Sequence, residues 1–378
     1  MSRDVRQPTD AELTQGNAPL DSPNGGSHEH DDDEEMPRIT MTRRRVIASV
    51  LFILAIIAFL YFVLPEIGDM KDTWDRVSDG DKVWFAVALG FEVLSMASYI
   101  ALFHGIHVPP GSPISIRDSY LMTMAGLAAT RLFAAGGAGG VAVTAWALRR
   151  SGMERREVAE RMIAFLMLLY GVYMAALVIC GIGLRTGVFS GEAPFGLTVV
   201  PAIVGVIGFA VVLPLALVPE DLPERIERMS PHRPKAAKWL RRLALGPASM
   251  RGGIRFAIHK AAHPDRAMVG VLTWWIFNVA VLWACFRAFG KAPPAAVIVQ
   301  GYFVGMLGNL LPLPGGIGGV DGGMIGAFVA FGVSGSLAVL AVLAYRIFAF
   351  WLPTIPGIFA YFRLRKRVVG WRRTPSAA

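Results

Sequence analysis

Charge is scarce in this sequence. Only 17% of its 378 residues are Asp, Glu, Lys or Arg, where a soluble domain carries about 25%. The deficit is gathered into long uncharged runs, several of them longer than the roughly 18–20 residues that cross a bilayer. That excludes an ordinary soluble globule. Cysteine is scarcer still. Cys180 and Cys285 are the two present, and both fall inside apolar runs, so they read as small buried hydrophobes and not as a disulfide or redox pair. No cleavable leader pattern is legible, because the first 40 residues are polar and the first apolar run is a full span. Catalytic signatures are missing too. No HExxH, no Ser/His/Asp arrangement and no DxD motif can be placed in a loop, and the acidic run from Asp31 to Glu35 sits in a polar tail. The expectation is a protein that is not an enzyme and uses neither cofactor nor metal.

Apolar residues make up 54% of the chain. Six runs read as spans: Val46–Leu64, Val83–Phe103, Met162–Leu184, Leu197–Val218, Met268–Phe289 and Leu337–Phe362. The net charge of +9 sits at their flanks, which points to membrane topology and anionic lipid heads and away from nucleic acid. Arg43, Arg44 and Arg45 precede the first run, and Arg363, Arg365, Lys366 and Arg367 follow the last. The connection 219–266 holds eleven Lys/Arg against five Asp/Glu, whereas 66–82 holds three against six. The positive-inside rule then puts both termini and the basic connection in the cytoplasm. The expected domains are a disordered tail at 1–42, a transmembrane domain at 43–365 and a basic tail at 366–378. Within the connection, Pro231–Ala262 reads equally as amphipathic helices on the inner leaflet or as an ordinary basic loop.

Two apolar regions are too short to span. Ser119–Ala134 and Val141–Leu148 would be about 24 and 12 Å long as helices, and Val297–Leu311 and Val320–Phe331 about 22 and 18 Å, against hydrocarbon about 30 Å thick. Each pair reads as a re-entrant hairpin, although two short tilted spans would fit the charge pattern as well. Glycine breaks interrupt the pairs: Gly136-Gly137-Ala138-Gly139-Gly140-Val141 and Gly315-Gly316-Ile317-Gly318-Gly319-Val320, both GGxGGV. Each break follows a span and a half-helix and precedes a half-helix and a span, and the two units run in opposite directions. The fold expected is therefore an all-α polytopic membrane protein of about six spans plus two re-entrant hairpins in inverted repeats. Such layouts belong to alternating-access transporters, with the site where the breaks meet. Glycine there supplies left-handed backbone and close approach, half-helix N-termini favour an anion, and tight packing alone would explain the glycines as well.

Charges at membrane depth are costly and mark cavities or pairs. Glu92, Arg131, Asp321 and Arg346 are such charges. Asp321 and Arg346 are the most plausible couple, being in the same unit. Arg131 or Arg346 suits a phosphate through its planar fork, Glu92 or Asp321 suits a proton, and structural salt bridges remain the alternative. Asn309, before Pro312 and Pro314, is expected to satisfy carbonyls freed at the second break. Arg161 is expected to snorkel toward the cytoplasmic interface. The candidate site thus comprises Glu92, Arg131, Gly136, Gly137, Asn309, Gly315, Gly316, Gly318, Asp321 and Arg346.

The run Leu311-Pro312-Leu313-Pro314-Gly315-Gly316-Ile317-Gly318-Gly319-Val320-Asp321, followed by Tyr345-Arg346, resembles the lysylphosphatidylglycerol synthase transmembrane region, or flippase-like, family over about residues 45–365. The resemblance implies a prokaryotic inner-membrane protein related to the flippase halves that move aminoacylated phosphatidylglycerol between leaflets. It marks Pro314, Gly315, Gly316, Gly318, Asp321 and Arg346. Two departures stand out: Ala142 occupies a position where the family often carries an acid, and no aminoacyl-transferase domain is legible, so any modified lipid would be made elsewhere. The expected function is translocation of an anionic or modified lipid. The alternative is a membrane accessory or enzyme of lipid-linked glycan or aminoacyl-lipid synthesis. Expected partners are lipids with anionic head groups, a lipid-modifying enzyme and further copies of the chain.

Overall fold

The computed structural model describes residues 80–132, 138–217, 250–263, 265–310 and 316–371. The expected tail, the span Val46–Leu64, most of the basic connection, and Gly136, Gly137 and Gly315 lie outside the described residues. Among the described residues there is helix and turn and no strand.

Helix α1 (Lys82–His107) opens the first unit. Asp81 caps it, its Oδ1 accepting from the Val83 N–H at 2.8 Å, which satisfies one of the amides a helix start leaves bare. Helices α2 (Ile116–Leu132) and α3 (Ala138–Arg150) follow. Ser115 and Asp118 cap α2 reciprocally. The Ser115 hydroxyl accepts from the Asp118 N–H at 3.1 Å, and Asp118 Oδ2 accepts from the Ser115 N–H at 3.2 Å, the capping-box exchange. Helix α4 (Arg155–Arg185) closes the unit, and α5 (Phe195–Val212), continued by a 3₁₀ turn at Leu213–Leu217, is the additional span.

From Arg266 the chain again runs long helix, two shorter helices, long helix. Helix α6 (Arg266–Ala288) begins on a capping aspartate as α1 does, Asp265 Oδ1 accepting from the N–H groups of Ala267 and Met268 at 2.9 and 3.1 Å. Helix α7 (Ala295–Met306) with a 3₁₀ turn at Leu307–Leu310, and α8 (Gly319–Ala330), are the half-length pair. Helix α9 (Gly335–Arg346) passes through a π-helical turn at Ile347–Trp351 into α10 (Leu352–Trp371). Five helical stretches, Lys82–His107, Arg155–Arg185, Phe195–Leu217, Arg266–Phe289 and Gly335–Val368, are long and apolar enough to cross a membrane. These are five of the six expected spans, with ends shifted. The largest shift is at α4, which begins seven residues before Met162 because Glu157 pairs with Arg161 at i,i+4 and carries the helix past the apolar run.

Lipid tails are as apolar as leucine, so helices here associate through close packing and not through escape from water. The α1–α6 seam shows it. The buried face of α6 includes Ala267, Gly270, Val271, Asn278, Leu282 and Cys285 at helical spacing. A Cβ at Gly270 would lie 2.7 Å from the Leu102 nitrogen, and one at Gly105 would lie 3.0 Å from Ala267. The two helices therefore run antiparallel with their backbones nearly touching. Within the seam the Asn278 amide donates to Ser95 Oγ at 2.7 Å and to the Trp274 carbonyl at 2.9 Å.

Both short pairs are antiparallel hairpins. In the first, a Cβ at Gly140 would fall 2.5 Å from the Gly126 carbonyl oxygen; in the second, one at Gly308 would fall 2.2 Å from that of Gly319. Each hairpin also leans on the closing helix of the other unit. Tyr173 of α4 donates to the Phe303 carbonyl of α7 at 2.8 Å, and Gly357 of α10 meets Met124 and Ala128 of α2.

Within the expected amphipathic segment, 250–262 is helical. Its Ile254 and Ala257 are buried, Gly253 abuts Glu160 and Ile163 of α4, and Phe256 lies under Arg161. Arg161, expected to snorkel, has partners within the helices. It donates to the Ile106 carbonyl at 2.6 Å and pairs with Glu157, bolting α4 to the end of α1.

Candidate functional site

The charges expected at depth converge on the π-helical turn. Pro353 lacks an N–H and so cannot complete the α-helical bond to the carbonyl of Ala349 four residues earlier. Arg131, at the end of α2, supplies the missing donor. Its Nη2 donates to the Ala349 carbonyl at 2.8 Å, and its Nη1 donates to the Phe350 carbonyl and to Thr354 Oγ1 at 3.1 Å. The same guanidinium stands 4.9 Å from the centroid of the Phe350 ring. Arg346 stands 4.8 Å from that centroid, so one aromatic ring is shared by two cations. No ion pair to Arg131 is found among the described residues.

Arg346 pairs with Asp321 through Nε and, at 3.3 Å, through Nη2, which is the couple expected from the sequence. Asp321 Oδ2 also accepts from the Gly318 N–H at 2.9 Å, tying the carboxylate to the start of α8. Gly316 and Gly318 have φ of +66° and +83°, the left-handed backbone that glycine adopts without penalty. Asn309 abuts Gly316 through its Oδ1, and its amide meets Met306 Sδ at 3.4 Å in place of the carbonyl expected for it.

A chain of contacts therefore links the edge of the first glycine break, at Arg131, through Phe350 and Arg346 to Asp321 at the edge of the second. Glu92, at mid-length in α1, completes the cluster. It is 2% exposed, neither of its carboxyl oxygens has a hydrogen-bond partner among the described residues, and Arg131 is the opposite charge that acts on it. Tyr345 donates to the Tyr302 hydroxyl at 3.1 Å beside it. Five elements thus contribute: α1, α2, α7, the start of α8, and the α9–π–α10 helix. Phe350, Thr354 and Tyr302 went unrecognised in the sequence. Pro353 was the available signal for the first two, since a proline inside a span frees a carbonyl that some donor must meet.

Five helical stretches long and apolar enough to cross a membrane, with buried charged residues gathered among them, define a polytopic α-helical membrane protein. The particular family is given by comparison. Residues 46–357 match the family described as the lysylphosphatidylglycerol synthase TM region, and the chain belongs to that family. No curated protein matches it.

Proposed function

We propose that the protein translocates an anionic or modified membrane lipid by alternating access between two inverted units, with no catalytic step of its own. In this reading it resides in a prokaryotic inner membrane with both termini in the cytoplasm. The antiparallel α1–α6 seam, the capping aspartates at Asp81 and Asp265, and the exchanged packing of hairpins and closing helices support the inverted repeat. Membership of the family supports a role connected with lipid.

The observation that carries the proposal is Glu92. A buried polar group without a partner costs about 1–3 kcal/mol, and an ionisable one inside a span marks a pathway or a site more often than a scaffold. Beside it, Arg131 keeps N–H groups beyond those it gives to Ala349, Phe350 and Thr354, and a guanidinium suits phosphate. The cluster is closed in this conformation, with Tyr302 at 1% exposure and Glu92 at 2%, so lipid would enter when a hairpin swings away from the closing helix it leans on.

Vesicles reconstituted with the protein and a fluorescent phosphatidylglycerol test the reading. We expect the labelled lipid to become accessible to an external quencher faster than in protein-free vesicles. Glu92→Gln, nearly isosteric and relieved of charge, should keep its thermal stability within about 1 kcal/mol while translocating at least about tenfold more slowly. Absence of movement for every head group tried, or full activity in Glu92→Gln, would overturn the respective claim.

A further inference from the structure

Helices α2 and α10 run antiparallel, with contacts at Arg131–Phe350, at Met124–Gly357 and at Asp118–Arg367. The first turns of α2 and the last turns of α10 therefore lie at one end of the molecule. There a cavity of about 430 Å³ is lined by Arg117, Tyr120, Leu121, Arg363, Lys366 and Arg367, within the volume range of small-ligand sites. Four of the six are cations. Asp118, 2% exposed beneath them, answers one: Arg367 Nε donates to its Oδ1 at 3.1 Å, while Ser115 takes its other oxygen at 2.7 Å. Arg117, Arg363 and Lys366 make no ion pair or hydrogen bond among the described residues. Like charges gathered around one cavity repel, and an anion that fills it relieves the repulsion.

The surroundings say what kind of anion. The cavity floor includes Leu121, which is buried. On α10, just beyond the cations and toward the span, Phe359 and Phe362 are 64% and 57% exposed. At the start of α2, Ile116 is 67% exposed. A soluble anion has no use for that flank. A phospholipid does, its phosphodiester held by guanidinium forks and its acyl chains lying along the exposed rings. We propose that this end of the α2–α10 pair is a binding site for the head group of an anionic phospholipid in the adjacent leaflet. The site is separate from the Glu92–Arg131 cluster and stands whether or not the protein translocates lipid.

Native mass spectrometry of the full chain in detergent, with phosphatidylglycerol, phosphatidylcholine or inorganic phosphate added, tests the proposal. The variant Arg117→Gln/Arg363→Gln/Lys366→Gln removes three exposed charges and leaves the Arg367–Asp118 pair in place. The wild-type chain should bind phosphatidylglycerol in preference to phosphatidylcholine, and the variant, with an unchanged melting temperature, should bind it about tenfold more weakly or less. Exchanging Arg117 and Arg363 for lysine should retain most of the binding. Unchanged phosphatidylglycerol affinity in the triple Gln variant would overturn the site, and displacement of the lipid by millimolar inorganic phosphate would reassign it to a soluble anion.

Discussion

At the scale of single residues, the informative contrast is between the two deep arginines. Arg346 has a carboxylate partner and Arg131 has carbonyls. The Arg346–Asp321 couple was legible because both charges fall within apolar stretches 25 residues apart, and a charge there must find a partner. Arg131's partners were not legible, since Phe350 and Ala349 lie over 200 positions away and become acceptors through the π-helical turn. Glu92 could be read as unusual but not as unbonded. Removing one member of a largely buried pair strands the other, at about 3–5 kcal/mol. Arg346→Ala should therefore lower thermal stability by roughly that amount, while Arg365→Ala, at an exposed position, should change it by less than about 0.5 kcal/mol. The double variant Asp321→Asn/Arg346→Gln should recover part of the loss. A melting series in detergent measures this cycle, and equal effects of the two alanines would contradict the placement of Arg346.

At the scale of elements, hydropathy found five of the six expected spans, and the two pairs of short helices stand where the sequence places its apolar regions too short to span. Their ends were less legible. Val141–Leu148 is the apolar part of a helix that runs Ala138–Arg150, because polar and small residues continue a helix without contributing to an apolar run. The tightness of the hairpins was also invisible, as glycine serves both left-handed turns and close approach. At Gly308 the requirement is close approach. Gly308→Val would press its side chain into the Gly319 carbonyl and is expected to cost several kcal/mol or abolish folding. Gly322 has open space around it, so Gly322→Ala should be neutral or stabilise α8 by about 0.5–1 kcal/mol. Melting temperatures of the two variants test the hairpin geometry, and a tolerated Gly308→Val would count against it.

At the scale of the whole molecule, two carboxylates outside the spans fasten the basic end. Burial alone would raise the Asp118 carboxyl, but hydrogen bonds from Ser115 and the Arg367 guanidinium outweigh it and hold Asp118 below its ordinary value of 3.8. For Asp265 burial likewise raises, and the Lys260 ammonium with the Met268 and Ala267 amides prevails and lowers it. A group whose folded value is depressed contributes stability above its unfolded value and loses it as pH falls through the folded one. Melting temperature should therefore drop as pH is taken from about 5 to 3, and Asp118→Asn should show a shallower drop. Identical pH profiles would remove Asp118 from this role.

The exchanged packing has a further consequence. Tyr173 of the first half packs against the second hairpin and Gly357 of the second half against the first, so each hairpin is held from both halves. A change at either contact is therefore felt in both halves. Each half thus holds part of the other's hairpin in place.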